Sequence, residues 1–427
     1  MPVLAHIITT NGLPIPRWLL AYLYAFGALL IVAGLRASHP SRRWADVERA
    51  PEAPSKVRLI GRIVGAAAYL ATIGIALGAT NDGGYFASLL LVVVFWIGGL
   101  TLALLVGDWF RWVNPFALVA QLFAGRARDE DDDAVPAPAW TAAAMIGAFL
   151  WFWLVYAERV PTNLDSGVFL IVYGAAAIGG VAVFGAGWLE AGEGFTATFD
   201  LVGALSPIGR DATTGRLALR VPVRGVAERG PVPGTALLGA VLLGGIGYEG
   251  LIQTSWWSDS VVGGRVGTEL LVVSTVGLAW TILIAYVGIV GAARIGSSVA
   301  DREAADLPER VGAAAAILAL GAWVAYELPQ LVVDGQNVLA LASDPLGRGD
   351  DIFGTINDQP NLSLLSPTTQ AWIAIIALAI GVVAAAVLMT EGAFASFSPR
   401  RAAKAIWPMA VVLAIGSGGA ALLLLGH

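Results

Sequence analysis

Two glutamates lie in stretches of the chain that are otherwise almost free of charge. Glu249 sits in GGIGYEGLIQTSWW and Glu327 in AWVAYELPQLV. Each follows a tyrosine, Tyr248 and Tyr326, and each precedes an amide, Gln253 four residues on and Gln330 three residues on. On a helix these spacings put acid and amide on one face. A carboxylate in hydrocarbon costs about 2.5–3.5 kcal/mol on translocon scales, so it must face protein, water or a partner. Two carboxylates, two phenols and two amides at one depth suit a cation, a proton relay or a small polar substrate. The same acids would also serve as hydrogen-bonding glue between helices. Gly244, Gly245, Gly247 and Gly250 allow close helix approach or unwinding around Glu249, and Pro329 predicts a kink just after Glu327.

Other chemistry is limited by composition. Cysteine is absent, which removes disulfides, thiolate nucleophiles and Cys-ligated metal together. The only histidines are His6, His39 and His427, so no multi-histidine metal or haem site can be assembled and none is expected. His6 near the outer surface would ligate metal only with carboxylate help. No basic run interleaved with aromatics points to nucleic acid.

The elements that position these residues must be membrane helices. The chain has 427 residues, 57% hydrophobic and 13% charged, with mean hydropathy +0.75; a soluble domain carries about 25% charged residues. A span needs about 20 mostly apolar residues. Ten windows qualify: Ile15 to Leu35, Leu59 to Ala79, Phe86 to Val106, Ala139 to Ala157, Ser166 to Leu189, Gly234 to Thr254, Val266 to Ala293, Val311 to Val333, Thr369 to Thr390 and Ala405 to Leu425. The expected fold is therefore an all-α integral membrane bundle of about ten helices, partnered by the lipid bilayer.

Loop charge alternates. The first, third, fifth, seventh and ninth connections are basic, with Arg36 to Arg58, Arg111 to Arg128, Arg210 to Arg229, Arg294 to Arg310, and Arg400 to Lys404. The others are short or acidic, Arg159 and Arg265 aside. Positive residues are retained on the cytoplasmic side, so the alternation predicts a multi-pass protein of the cell membrane with both termini outside the cytoplasm. Met1 to Arg17 lacks the features of a secretory signal and is expected to be retained.

Two connections read as amphipathic segments in the headgroup zone. One is Asp108 to Ala124, its helix starting at Asn114-Pro115. The other is Phe195 to Leu205, with Phe195, Phe199, Val202 and Leu205 on one face, followed by a short hairpin near Arg216 to Val223. Asp108, Glu190 and Glu193 are placed at the interface, and Trp256 and Trp257 in an aromatic belt. Residues 126–138 read as a flexible acidic linker. Residues 334–367 read as an outer loop whose Asp344, Asp350, Asp351 and Asp358 could bind a hard cation or belong to a folded lid. Two five-span halves of opposite topology are allowed by the span count alone.

LPIPRWLL at Leu13 to Leu20, GDWFRWVNPF at Gly107 to Phe116, LSPIGR at Leu205 to Arg210 and LASDPLGRGDDIFGT at Leu341 to Thr355 resemble a family of bacterial polytopic membrane proteins labelled fenitrothion hydrolase. The resemblance implies the multi-span fold and hydrolysis of an organophosphorus ester. Where that family pattern implies His-Tyr in the eighth span this chain has Tyr326-Glu327, and where it implies Phe-Asp-Gly this chain has Tyr248-Glu249-Gly250. The residues themselves lead first to a transporter or permease with a carboxylate site in the outer half of the bundle. A membrane-embedded hydrolase and a non-catalytic subunit of a membrane complex are the alternatives.

Overall fold

A computed structural model describes residues 16–38, 47–48, 55–80, 85–124, 139–158, 161–211 and 217–424. His6, the segment before residue 16, the acidic linker 126–138, and loop charges such as Arg42, Arg43, Asp82 and Arg159 lie outside these.

The fold is all-α. In chain order the helices are α1 (Arg17–Ser38), α2 (Ser55–Gly78), α3 (Phe86–Val106), α4 (Phe110–Val113), α5 (Phe116–Ala124), α6 (Thr141–Tyr156), α7 (Asn163–Phe184), α8 (Trp188–Ala191), α9 (Gly194–Gly203) and α10 (Pro222–Arg229). They continue with α11 (Thr235–Ile252), α12 (Thr268–Val299), α13 (Leu307–Leu341), α14 (Pro367–Ser396) and α15 (Pro399–Leu424). Among the described residues, nine helices are long and apolar enough to cross a membrane. The remaining apolar window forms α6, whose 16 residues span about 24 Å at 1.5 Å per residue, less than the roughly 30 Å hydrocarbon core. Large apolar side chains stand exposed on these helices, among them Leu70 at 65%, Trp280 at 60% and Ile415 at 70%. Such exposure is costly in water and neutral in lipid, so this is a multi-pass membrane protein.

Several helices outrun their apolar windows. The α12 helix continues to Val299 and α14 to Ser396, while α13 continues past Pro329 to Leu341. The segment 334–367 is therefore helical in its first part, Asp334 to Leu341. The expected hairpin is present: β2 (Ile208–Asp211) and β3 (Leu217–Leu219) pair antiparallel with Ile208 opposite Leu219. A third strand, β1 (Val47–Glu48), adds to β2, and Pro222 then starts α10, as suits a residue lacking an N–H.

The chain forms two compact units. One contains α1, α10, α11, α12, α14, α15 and α13 as far as Pro329; the other contains β1 to β3, α2 to α9, and the stretch from Gln330 to Leu364. These are not two successive five-span halves, because α1 packs chiefly on α15 and α14. The Tyr24 hydroxyl donates to the Ile375 carbonyl at 2.6 Å and the Ser417 hydroxyl to the Tyr24 carbonyl at 3.4 Å. The Arg36 guanidinium lies 5.5 Å above the Trp407 ring.

Glycine sets how closely the first unit packs. A Cβ at Gly239 would lie 2.2 Å from the Gly312 carbonyl oxygen, and one at Gly312 would lie 2.4 Å from the Ala236 Cα. One at Gly321 would lie 2.7 Å from the Gly381 Cα. In lipid, helices associate through such contacts because hydrocarbon supplies no hydrophobic driving force. Gly239→Val is expected to destabilise the protein by about 1–3 kcal/mol through overpacking, read as a lower thermal midpoint in detergent. Gly247→Ala should be neutral or better, since nothing lies within 4 Å of a Cβ there; equal losses at both positions would contradict this packing.

Candidate functional site

In the first unit, α11 and α13 start side by side. The Ala236 N–H donates to Glu309 Oε2 at 2.7 Å, and the helices cross at Ala236, Gly239 and Gly312. Glu249 lies ten to thirteen residues beyond that crossing and Glu327 fifteen beyond, which is about 15–20 Å and about 22 Å along the axes. Their heights are comparable. Glu249 is 0% exposed and Glu327 1%. Tyr248 and Tyr326 are buried, Gln253 is the half-buried C-terminal cap of α11, and Gln330 is half-buried one turn beyond Glu327.

Tyr248 does a different job from the acid that follows it. Its ring meets Trp257 edge-on at 5.6 Å, over Gly277 of α12, and neighbouring residues of a helix do not share a face. Trp257 is consequently buried at 6%, which removes it from any aromatic belt, while Trp256 stays 58% exposed. Gly244 and Gly250 serve close approach rather than unwinding: α11 is unbroken, and a Cβ would lie 2.5 Å from the Ile282 Cα at Gly244 and 2.9 Å from the Leu423 Cβ at Gly250.

The 342–366 connection is held by its own side chains. Asp344 accepts from the backbone N–H groups of Arg348 at 2.8 Å and Gly349 at 2.7 Å. Burial acts to raise this carboxyl, but the N–H donors of Arg348, Gly349, Asp350 and Gly347 outweigh it and hold it below the usual carboxylate range. Asp351 accepts from the Ile356 N–H at 3.2 Å, and Asp350 and Asp351 are exposed. Ser343 Oγ receives the N–H groups of Phe353 and Thr355 at 3.1 and 3.2 Å. Thr80 at the end of α2 donates its N–H to the Leu346 carbonyl at 2.9 Å and its hydroxyl to the Gly347 carbonyl at 2.6 Å. This is a folded loop whose aspartates organise backbone. Among the described residues no group of three or more His, Asp and Glu is arranged to hold a metal ion.

Glu193 differs most from the sequence expectation. It is not interfacial: it is 0% exposed and caps the N-terminus of α9. It accepts from the Phe195 N–H at 3.0 Å and the Thr196 N–H at 2.8 Å, and from the hydroxyls of Thr196 and Tyr173. Thr196 Oγ1 in turn receives Asn114 Nδ2 at 2.9 Å, and Asn114 Oδ1 accepts the Phe116 N–H at 2.9 Å to start α5. One buried network thus joins α5, α7 and α9. Tyr173 is midway along α7, and the Phe195 ring lies 4.8 Å from Phe95, 5.3 Å from Phe149 and 4.7 Å from Tyr173. The segment Phe195 to Leu205 is therefore buried beside spans rather than lying in the headgroup zone, because α9 is buried at every residue but Asp200 and Glu193 finds its donors there. The local signal was the glycine pair around the acid. A Cβ at Gly192 would lie 2.1 Å from Trp188 Nε1, and one at Gly194 would lie 2.9 Å from Met145 Cβ.

Two further groups were missed. Asp334 is 1% exposed on α13, with Asn337 donating to it at 3.3 Å; burial and its charge push the Tyr85 phenol above its ordinary value. Beside the Glu193 network is a cavity of about 410 Å³, within the 300–1,000 Å³ common for small-molecule sites. Its walls come from α2, α3, α7, the Trp109 to Phe116 segment and Phe195.

No family model, curated protein or solved structure matches this chain.

Glu193→Ala would orphan three buried donors, the Thr196 N–H and the hydroxyls of Thr196 and Tyr173, because the Phe195 N–H keeps the Tyr173 oxygen at 3.2 Å; each costs about 1–3 kcal/mol. A loss of at least about 3 kcal/mol in unfolding free energy is expected, with Thr196→Val losing less. A Glu193→Ala protein as stable as wild type would show that the network does not hold α9.

Proposed function

We propose that this chain is a permease of the cell membrane, moving a small polar or cationic solute past Glu249 and Glu327. The reading is carried by the burial of both carboxylates in membrane-length helices. Acids at such positions are costly and mark ion paths or proton relays by default. Gln253 and Gln330, one turn from the acids on the same faces, add neutral donors and acceptors of the kind a hydrated cation can exchange for water. The alternation of loop charge supports an orientation with both termini outside. That orientation puts the two acids toward the outer end of their helices. Hydrolysis of an organophosphorus ester, implied by the family resemblance, has less support, because Asp344 and Asp351 are engaged as backbone acceptors.

The test uses proteoliposomes in which uptake of protons, sodium and tetraethylammonium is followed beside hydrolysis of a nitrophenyl phosphotriester. Wild type is expected to accelerate at least one flux over protein-free vesicles. Glu249→Gln and Glu327→Gln should each lower it at least tenfold while helix content is retained. Unchanged flux in both variants overturns the assignment, and ester turnover without any flux would make the chain an enzyme.

A further inference from the structure

The cavity of the second unit has a particular shape and chemistry. Along α2 it runs from Gly65 through Ala68, Tyr69 and Thr72 to Ile75. Ten rises of 1.5 Å give a length of about 15 Å, half of the roughly 30 Å hydrocarbon core and so the depth of one leaflet. Every hydroxyl or indole N–H on its wall is already spent on protein. Tyr69 donates to the Leu170 carbonyl, Thr72 to the Ala68 carbonyl at 2.9 Å, Trp109 to the Gly99 carbonyl at 2.8 Å, and Tyr173 to Glu193. What faces the space is almost all hydrocarbon and aromatic ring, so a polar occupant would find no free donor.

The mouth opens sideways. Ala68 and Ala71 on α2 are exposed, as is Val94 on α3 at 45%, and all three lie well inside membrane-length helices, where the surroundings are lipid. At the other end the α4 backbone rests on α2: a Cβ at Gly65 would lie 1.7 Å from the Val113 carbonyl oxygen, and one at Gly61 would lie 2.5 Å from that of Trp112. Past this closure the face that carries Gly65, Tyr69 and Thr72 continues, at helical spacing, to Arg62 and Arg58. Both are half-buried, and they stand about 5 and 10 Å from the cavity's end.

We propose that this cavity seats one acyl chain of an anionic bilayer phospholipid, whose headgroup lies beside Arg58 and Arg62. The fit is one of length, of an apolar wall whose donors are all engaged, of lateral access from lipid, and of charge at the level where a leaflet's headgroups begin. It is independent of the permease reading, since none of its residues belongs to the first unit.

The experiment takes the full chain in detergent and titrates it with phosphatidylglycerol carrying a diazirine at mid-chain, mapping crosslinked peptides by mass spectrometry. Matched arms use phosphatidylcholine and a diazirine-bearing fatty alcohol. Saturable labelling of Ala68, Val94 and Phe116 is expected. It should fall at least tenfold in Ala68→Trp and in Val94→Trp, two fillings of an exposed mouth, so that one folded variant suffices. Arg58→Gln combined with Arg62→Gln should weaken phosphatidylglycerol about tenfold and leave phosphatidylcholine unchanged. Labelling spread evenly over the lipid-facing helices and insensitive to both fillings overturns the proposal. So does fatty alcohol binding as tightly as phosphatidylglycerol in wild type, which would make the occupant a free apolar molecule.

Discussion

Lipid offers no hydrogen bonds, so every polar group that this chain keeps between its helices must be satisfied by the chain itself or by something the chain admits. That constraint separates its buried acids into kinds. Glu193 is surrounded by two backbone N–H groups and two hydroxyls, enough to fill the acceptor capacity of a carboxylate. It is a cap and a joint. Glu249 and Glu327 lie instead within long spans and have amides one turn away, the arrangement on which the proposed permease reading rests.

Close packing makes the arrangement possible. In the first unit, backbone meets backbone at Gly239, Gly312, Gly321 and Gly381, and this proximity holds the helices bearing Glu249 and Glu327 in register. In the second unit, bulk replaces smallness. Phe95, Phe110, Phe149, Phe195 and Phe199 form a ring cluster around α9, whose edge-to-face contacts are directional. Where that cluster stops short of α2, the apolar cavity remains.

The spans were legible because twenty apolar residues in a row have one physical reading, and α3 and α11 begin and end close to their windows. The ends of α12, α13 and α14 were less so, because polar residues such as Asp334 extend a helix once tertiary contacts shelter them. Glu249 and Glu327 stood out as lone charges in greasy sequence. Glu193 did not, since its neighbours in AGEGF look like a loop; its burial follows from its bond to Tyr173 and from the seating of Gly194 on Met145 and of Thr196 on Asn114, all distant in sequence. The same holds for Trp257, whose place against Tyr248 depends on a glycine in another helix.

The proposed permease reading requires water to reach the buried Glu249 and Glu327, whereas Glu193 is sealed among its own donors. Infrared difference spectra on transfer from ordinary to deuterated buffer test it directly, through the carboxyl bands that shift on exchange. The account predicts such bands in wild type, their loss in Glu249→Gln and Glu327→Gln, and no contribution from Glu193. An exchanging band that survives both substitutions and disappears with Glu193→Gln would contradict it.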